Sequence, residues 1–308
     1  MPHNPFIEPN FWYVAITVAS VLLVGLAAVV IAERNRLAQL ASSTLFLRVR
    51  SWAIIAPIFV LAVFAGGILV FLLAAFVALQ GAAEYGRLVG LHRRYAWLLC
   101  LWILVGLLVA ALARNFFLFL PLGLFLLLTL VPIVTGEVDD AVRQIAGVLY
   151  GYLYIGLPMA YLVYIKAAEP WGREFLLVTG FAVALADVCA FVVGSVFKGP
   201  KLAPRVSPNK TWSGVLGSLL GACLGFALLA RLIPDSWTLL RLAVLVVVLV
   251  VLAVWGDLTE SFLKRSFATK DAGTLLPGFG GILDRVDSLL FVIPLGYYTL
   301  LAVSWLPG

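Results

Sequence analysis

Apolar residues run along this chain in long unbroken stretches, set apart by short polar segments. Leu239–Trp255 is one such stretch, interrupted by a single charge at Arg241. The pattern does not alternate with a period of two, as a membrane β-barrel would require. Runs of about 20 apolar residues are what an α-helix needs to cross the hydrocarbon core. The runs predict ten spans: 11–32, 50–65, 67–83, 95–113, 115–133, 143–164, 174–194, 213–233, 237–255 and 287–306. The second and third come from one run divided at Gly66-Gly67, because at ~1.5 Å per residue the whole is too long for one crossing. The expected fold class is therefore all-α: a polytopic integral membrane bundle of about ten transmembrane helices.

Charge orients the bundle. With the N-terminus outside, the inner segments hold Arg34, Arg36, Arg48, Arg50, Arg87, Arg93, Arg94, Arg143, Lys198, Lys201, Arg205, Lys210, Lys264, Arg265, Lys270 and Arg285, which is 16 of the 21 Lys and Arg. Cytoplasmic loops carry that kind of excess. The expectation is that both termini lie outside and that the active site sits at the cytoplasmic face. The chain divides into N-terminal membrane helices (1–174) and a C-terminal membrane catalytic region (175–308), with inner loops at 195–212 and 256–286.

Composition agrees and narrows the field. Apolar residues make up 64% of the chain and charged residues 12%, with a mean hydropathy of +1.11. Soluble domains run near ~45–50% and ~25%. That excludes an ordinary soluble enzyme, a disordered chain and a disulfide scaffold. The net charge of +6 reflects inner loops and an anionic substrate rather than nucleic acid. Cys100, Cys189 and Cys223 lie unpaired in apolar runs, and the chain has two histidines, so neither a disulfide framework nor a histidine metal centre is expected. Met1–Asn10 carries no Lys or Arg, which makes a poor signal peptide, and the first run reads as a retained helix.

Polar residues gather in the two longer inner loops. The second holds Asp257, Glu260, Asp271, Asp284 and Asp287, interleaved with Lys264, Arg265, Lys270 and Arg285. Carboxylates suit a hard divalent cation such as Mg²⁺, which also takes substrate phosphate oxygens. Lys and Arg neutralise the remaining phosphate charge. A solvated loop laced with weak salt bridges is the plainer reading. Spacing favours a site: Asp257, Glu260 and Lys264 share one face if the ninth helix continues inward. Asp284 and Asp287 stand at the mouth of the last span, where a helix N-terminus offers N–H groups that suit phosphate. Pro277-Gly278-Phe279-Gly280-Gly281 is either a close-approach loop or a turn opening that helix. It is no Walker motif, lacking the Lys-Ser/Thr. Asp187, inside an apolar run, is costly there and should face the bundle interior and a cation; a structural cap of a broken helix is the alternative. In the first loop Pro200, Pro204 and Pro208 forbid a continuous helix. Ser207, Lys210 and Thr211 either meet phosphate or belong to a basic loop that only sets topology and touches anionic lipid.

These residues resemble a family. The run Ser261-x-x-Lys264-Arg265-x4-Lys270-Asp271-x-Gly273-x3-Pro277-Gly278-x-Gly280-Gly281-x2-Asp284-Arg285-x-Asp287 is similar to the signature of the phosphatidate cytidylyltransferases (CDP-diacylglycerol synthases). Gly256-Asp257-x-x-Glu260-Ser261, Asp187-x-x-Ala190-Phe191 and Lys201-Leu-Ala-Pro204-Arg205-x-Ser207-Pro208-x-Lys210-Thr211-Trp212 fit as well, and Glu84-Tyr85 in the N-terminal half also resembles the family. Two positions depart: Phe279 stands where the family usually has His, and Ser213 where it usually has Glu.

The resemblance implies CTP + phosphatidate → CDP-diacylglycerol + pyrophosphate, with Mg²⁺ or another divalent cation, in a multi-pass protein of the cell's inner (cytoplasmic) membrane. It implies Asp257 and Asp284 as the main metal ligands, with Asp287 close behind. Asp271 and Asp187 follow as acids that position metal or bases. Lys264, Arg265, Lys270 and Arg285 hold the phosphates. Lys201, Arg205, Ser207, Lys210 and Thr211 close the site from the first loop. The readings that compete are a specialised or inactive paralogue, a CTP-dependent lipid kinase, and a transporter, whose polar residues would lie near the midplane. A homodimer is admitted as an assembly, with no interface marked in the sequence.

Overall fold

The computed structural model describes residues 4–34, 43–113, 116–267 and 281–305. Ten helical rods follow one another: α1 (Phe11–Ala32), α2 (Thr44–Ala65), α3 (Gly67–Val89), α4 (Arg93–Leu112), α5 (Leu120–Thr135), α6 (Ala141–Ala168), α7 (Gly172–Phe197), α8 (Trp212–Leu228), α9 (Leu239–Ser266) and α10 (Leu283–Ser304). Among the described residues eight of these segments are long and apolar enough to cross a membrane, and Val49–Ala65 and Trp212–Leu228 are shorter apolar helices. Each of the ten expected spans thus falls on one of the ten rods, eight of them long and apolar enough to cross, and the protein is a polytopic helical membrane protein. A short antiparallel hairpin, β1 (Lys201–Ala203) and β2 (Ser207–Thr211), joins α7 to α8, with Lys201 opposite Thr211 and Ala203 opposite Ser207.

Local chemistry sets the ends. Gly66, at φ +71°, closes α2 and opens α3, which is where the long second run was divided. Gly90, left-handed, stops α3. Thr211 caps α8 by accepting from the Gly214 N–H at 3.1 Å.

Several expected edges shift: α2 begins at Thr44 rather than 50, α5 begins at Leu120 rather than 115 and α8 ends at Leu228 rather than 233, while four further edges move where the site forms. α3 runs to Val89 rather than stopping at 83, and α7 runs to Phe197. α9 runs to Ser266, and α10 begins at Leu283 rather than 287. The segments expected as inner loops, 195–212 and 256–286, are therefore partly helix and hairpin among the described residues. Polar residues end a hydropathy run, but a helix continues through them when they find partners, as Glu84, Glu260 and Asp287 do below.

Glycine lets backbones touch. Along α8, Gly217 faces the Cys189 carbonyl, which an added Cβ would meet at 2.5 Å, and Gly225 faces Ala182, at 2.6 Å. Gly221 is likewise pressed on the Leu185 carbonyl. This small-residue stripe locks α8 to α7, as van der Waals contact must do where lipid offers no hydrophobic drive. At the far end of the same two helices Glu8 pairs with Arg173 at 2.5 Å, and the Tyr13 hydroxyl donates to the Leu228 carbonyl at 2.5 Å. The N-terminal segment and the hairpin thus lie at opposite ends of α7 and α8.

Candidate active site

Where α9 meets α10, Gly256 has no side chain, and a Cβ there would strike the Asp287 carbonyl. The two backbones therefore touch, and the acids just beyond Gly256 come beside those that open α10. The Lys264 Nζ donates to Glu260 Oε2 at 2.7 Å and to Asp284 Oδ1 at 2.7 Å. Asp284 Oδ2 accepts the Gly281 N–H at 2.6 Å. Asp287 is buried, and the negative charges of Asp257, Glu260 and Asp187 all bear on it. Asp257 and Glu260 therefore stand beside Asp287, and Lys264 ties Glu260 to Asp284.

The hairpin closes over this cluster. Lys210, in β2, reaches Asp257 Oδ2 with its Nζ at 2.5 Å. Two segments more than 40 residues apart, 201–212 and 256–287, thus form one site. By the ~1.5 Å rise, Asp257 lies about 13 Å inside the end of α9 at Ser266. The cluster is recessed among helix ends rather than spread on a surface.

A third element enters from α3. Glu84 is fully buried, and its carboxylate accepts the Ile282 N–H at 3.1 Å and the Leu283 N–H at 3.0 Å. Gln80 donates to it from one turn earlier at 3.2 Å. A carboxylate is well placed against the positive end of a helix. Gly281 has to be glycine, because a Cβ would collide with the Glu84 carboxylate. The N–H groups expected to await phosphate at this helix start are thus already satisfied: Glu84 takes Ile282 and Leu283, and Asp284 takes Gly281.

The remaining expected residues fall as follows. Arg285 follows Asp284 in the first turn of α10 and is half-buried. Arg265 is exposed at the end of α9, and Lys201 and Arg205 are exposed in the hairpin. Ser207 pairs with Ala203 across the hairpin. The Thr211 hydroxyl is engaged with Gly214 and with Ser213 Oγ at 2.9 Å. Ser213 also accepts the Gly199 N–H at 3.2 Å, which fastens the hairpin's base. Asp187 is exposed on α7 rather than sealed in the bundle. Lys270, Asp271 and Phe279 lie outside the described residues.

Two residues, Glu84 and Tyr154, join the site without having been singled out for it, and Glu260, which spacing had placed on a face with Asp257 and Lys264, joins with them. Glu260 had a signal in its i,i+4 spacing to Lys264. Glu84 had one as a lone acid among small residues, Gly81-Ala-Ala-Glu84. Tyr154 had none. Its buried hydroxyl has no hydrogen-bond partner among the described residues, and it feels the charges of Asp287, Glu260 and Asp257.

Chemically the cluster holds more acids than bases. The charges of three acids bear on Asp287, and among the described residues Glu260 Oε1 is buried without a hydrogen-bond partner. Buried like charges are expensive unless a cation joins them. Among the described residues no three acids already converge in metal-ligating geometry. The donors are nonetheless the hard oxygens that Mg²⁺ prefers, and the surplus of acids over bases suits one. Asp257, Asp284 and Asp287 are the residues that could hold it, Asp257 now paired with Lys210 and Asp284 with Lys264.

The fold and cluster define a polytopic membrane protein with a recessed carboxylate–lysine site at one end of its bundle. The sequence pattern of the Cytidylyltransferase family matches residues 46–303, and the chain belongs to that family. A phosphatidate cytidylyltransferase of Brucella suis biovar 1 (strain 1330) is 42% identical over 149 residues, which is 48% of this chain and 54% of the relative. One of Bacillus subtilis (strain 168) is 38% identical over 156 residues, 49% of this chain and 56% of the relative. One of Rickettsia felis (strain ATCC VR-1525 / URRWXCal2) is 35% identical over 157 residues, 49% of this chain and 68% of the relative. The chain spans about half the length of the first two relatives.

Proposed function

We propose that the protein transfers the cytidylyl group of CTP to phosphatidate, giving CDP-diacylglycerol and pyrophosphate, at the cytoplasmic face of the inner membrane. The observation that carries this reading is the Lys210–Asp257 contact beside the Glu260–Lys264–Asp284 bridge. It gathers carboxylates and ammonium groups from distant segments into one recessed site. Family membership and the names of the relatives point the same way. The charge bias of the inner segments supports the orientation.

The chemistry asks little of a general base, because the nucleophile is already a phosphate monoester anion. Its oxygen bonds to the α-phosphorus of CTP while the α–β bridging P–O bond breaks and pyrophosphate leaves. The obstacle is bringing two polyanions together. Lys264, held by Glu260 and Asp284, presents a fixed positive charge. Arg285 and Arg265 stand at the adjoining helix ends. Lys210 exchanges Asp257 for a phosphate oxygen, which leaves Asp257 with Asp287 for the divalent cation. Bound Mg²⁺ supplies charge neutralisation on the triphosphate and the departing pyrophosphate.

A lipid phosphate other than phosphatidate is the second reading, motivated by Phe279 and Ser213. Purified protein with CTP, Mg²⁺ and a panel of lipid phosphates tests both. Cytidine label should enter phosphatidate with equimolar pyrophosphate release. Label entering only another lipid phosphate selects the second reading. Transfer of the γ-phosphate instead makes the protein a kinase.

A further inference from the structure

Beside the site lies a cavity of about 720 Å³ walled by α1, α2, α3, α6, α7 and α10. Packed interiors leave few voids larger than a water molecule, so a space this size is built to hold something. Its described lining is apolar except for Thr179 and one charged side chain, Arg285. Arg285 follows Asp284, the carboxylate that grips Lys264. On α7 the lining ends at Val188, the neighbour of Asp187. The charged end of the cavity therefore abuts the acid–lysine cluster. From there it runs along α7 back to Phe175, a distance of about 20 Å at 1.5 Å per residue. One leaflet of a ~30 Å hydrocarbon core is about 15 Å deep.

We infer that this cavity receives an acyl chain of the lipid phosphate substrate, with its phosphate held toward Arg285 and with α1 as the outer wall. The inference rests on the function proposed above and adds where the lipid enters. Charge complementarity selects the occupant: an anionic monoester on a long apolar chain matches one cation at the end of an apolar trough. α1 is suited to be a wall. It is fastened at its N-terminal end by Glu8–Arg173 and Tyr13–Leu228, and Phe11 packs on Phe64. Its later residues Leu23, Val24 and Ile31 are exposed. α1 also precedes residue 46, where the family match begins, so this wall lies outside the matched region.

The test uses full-length protein in nanodiscs and phosphatidate carrying a photoactivatable diazirine in its acyl chain. Labelled peptides should include Leu22, Phe59 and Ala184. Unlabelled phosphatidate should suppress the labelling, and phosphatidylcholine should not. Labelling elsewhere, or equal suppression by both lipids, overturns the inference and identifies the cavity's occupant as bulk lipid. In parallel, Ala184→Trp and Ala56→Trp fill the trough from α7 and α2. The ratio of kcat/KM for dioleoyl over dihexanoyl phosphatidate should fall at least tenfold, and an unchanged ratio in both overturns the inference. Failure of the wild-type protein to turn over any lipid phosphate strikes the proposed function instead, while the labelling still reads the cavity directly.

Discussion

Glu84→Gln keeps the size of the side chain and alters only what it offers to the start of α10. In the native protein both carboxylate oxygens accept backbone N–H groups of that helix, at 3.1 and 3.0 Å. The variant turns one acceptor into an NH₂ donor that faces another donor. A hydrogen bond to a charged acceptor contributes about 1.5–3 kcal/mol, and the lost charge at the helix N-terminus adds up to about 2 kcal/mol in a buried setting. Relief from burying a carboxylate offsets part of this. A net loss of about 2–3 kcal/mol is expected, read as earlier thermal unfolding of the detergent-solubilised protein. Turnover of the surviving folded fraction should fall as well, because Asp284 and Asp287 stand in the first two turns that Glu84 holds. Glu84→Ala should be worse, since it orphans both N–H groups at about 1–3 kcal/mol each. A Glu84→Gln protein with native melting and native turnover would refute the reasoning. So would an alanine variant milder than the glutamine one.

Asp284→Asn removes the charge opposite Lys264 and should cut turnover at least a hundredfold while the protein still elutes as a folded species; near-normal pyrophosphate release takes Asp284 out of the site. Lys210→Met breaks a partly exposed pair worth no more than about 1 kcal/mol. Melting should hardly move while the KM for CTP rises at least tenfold, and a KM unchanged beside a large loss of melting would make Lys210 purely structural. Gly256→Val drives a side chain into the Asp287 carbonyl and should destabilise the α9–α10 contact by about 1–3 kcal/mol or more, seen as poor yield of folded protein. Chelation by EDTA should abolish turnover and added Mg²⁺ should restore it; full activity in EDTA would remove the divalent cation from the mechanism.

Helix number was legible in the sequence because each crossing needs its own apolar run, and the ten runs are the ten rods. Several rod ends were not, and those of α3, α7, α9 and α10 carry the site or lead into it. α3 passes 83 because Glu84 finds two backbone donors, and α10 starts at Leu283 because the same carboxylate caps it. Neither contact is visible within one segment, since Glu84 and Leu283 are 199 residues apart. The shared face of Glu260 and Lys264 was readable from spacing, and the structure joins them at 2.7 Å. The Lys210–Asp257 contact was foreseen only as one loop meeting another. The hairpin that delivers Lys210 was hidden in a segment whose prolines said only what it could not be.

The α10 N-terminus shows how the site divides its work. A helix start with open N–H groups would be a ready anion site, and the sequence invites that reading. Here Glu84 and Asp284 consume those groups, so the helix end binds protein carboxylates rather than substrate phosphate. The consequence is mechanistic. On the proposed function, phosphate recognition would fall to side chains, Lys210 and Arg285 among them, while backbone N–H groups hold the carboxylates of Glu84 and Asp284. On the same reading, acids in excess of their bases would make a cation a condition of nucleotide binding, because each carboxylate near Asp287 raises the cost of leaving the site without one. A polyanion bound without a cation would meet a negative cluster, whereas one bound with it would complete the charge balance. CTP affinity should therefore collapse in EDTA even in a variant whose turnover is already lost, such as Asp284→Asn. Equal CTP binding with and without the cation in that variant would break the link between the acid surplus and nucleotide recognition.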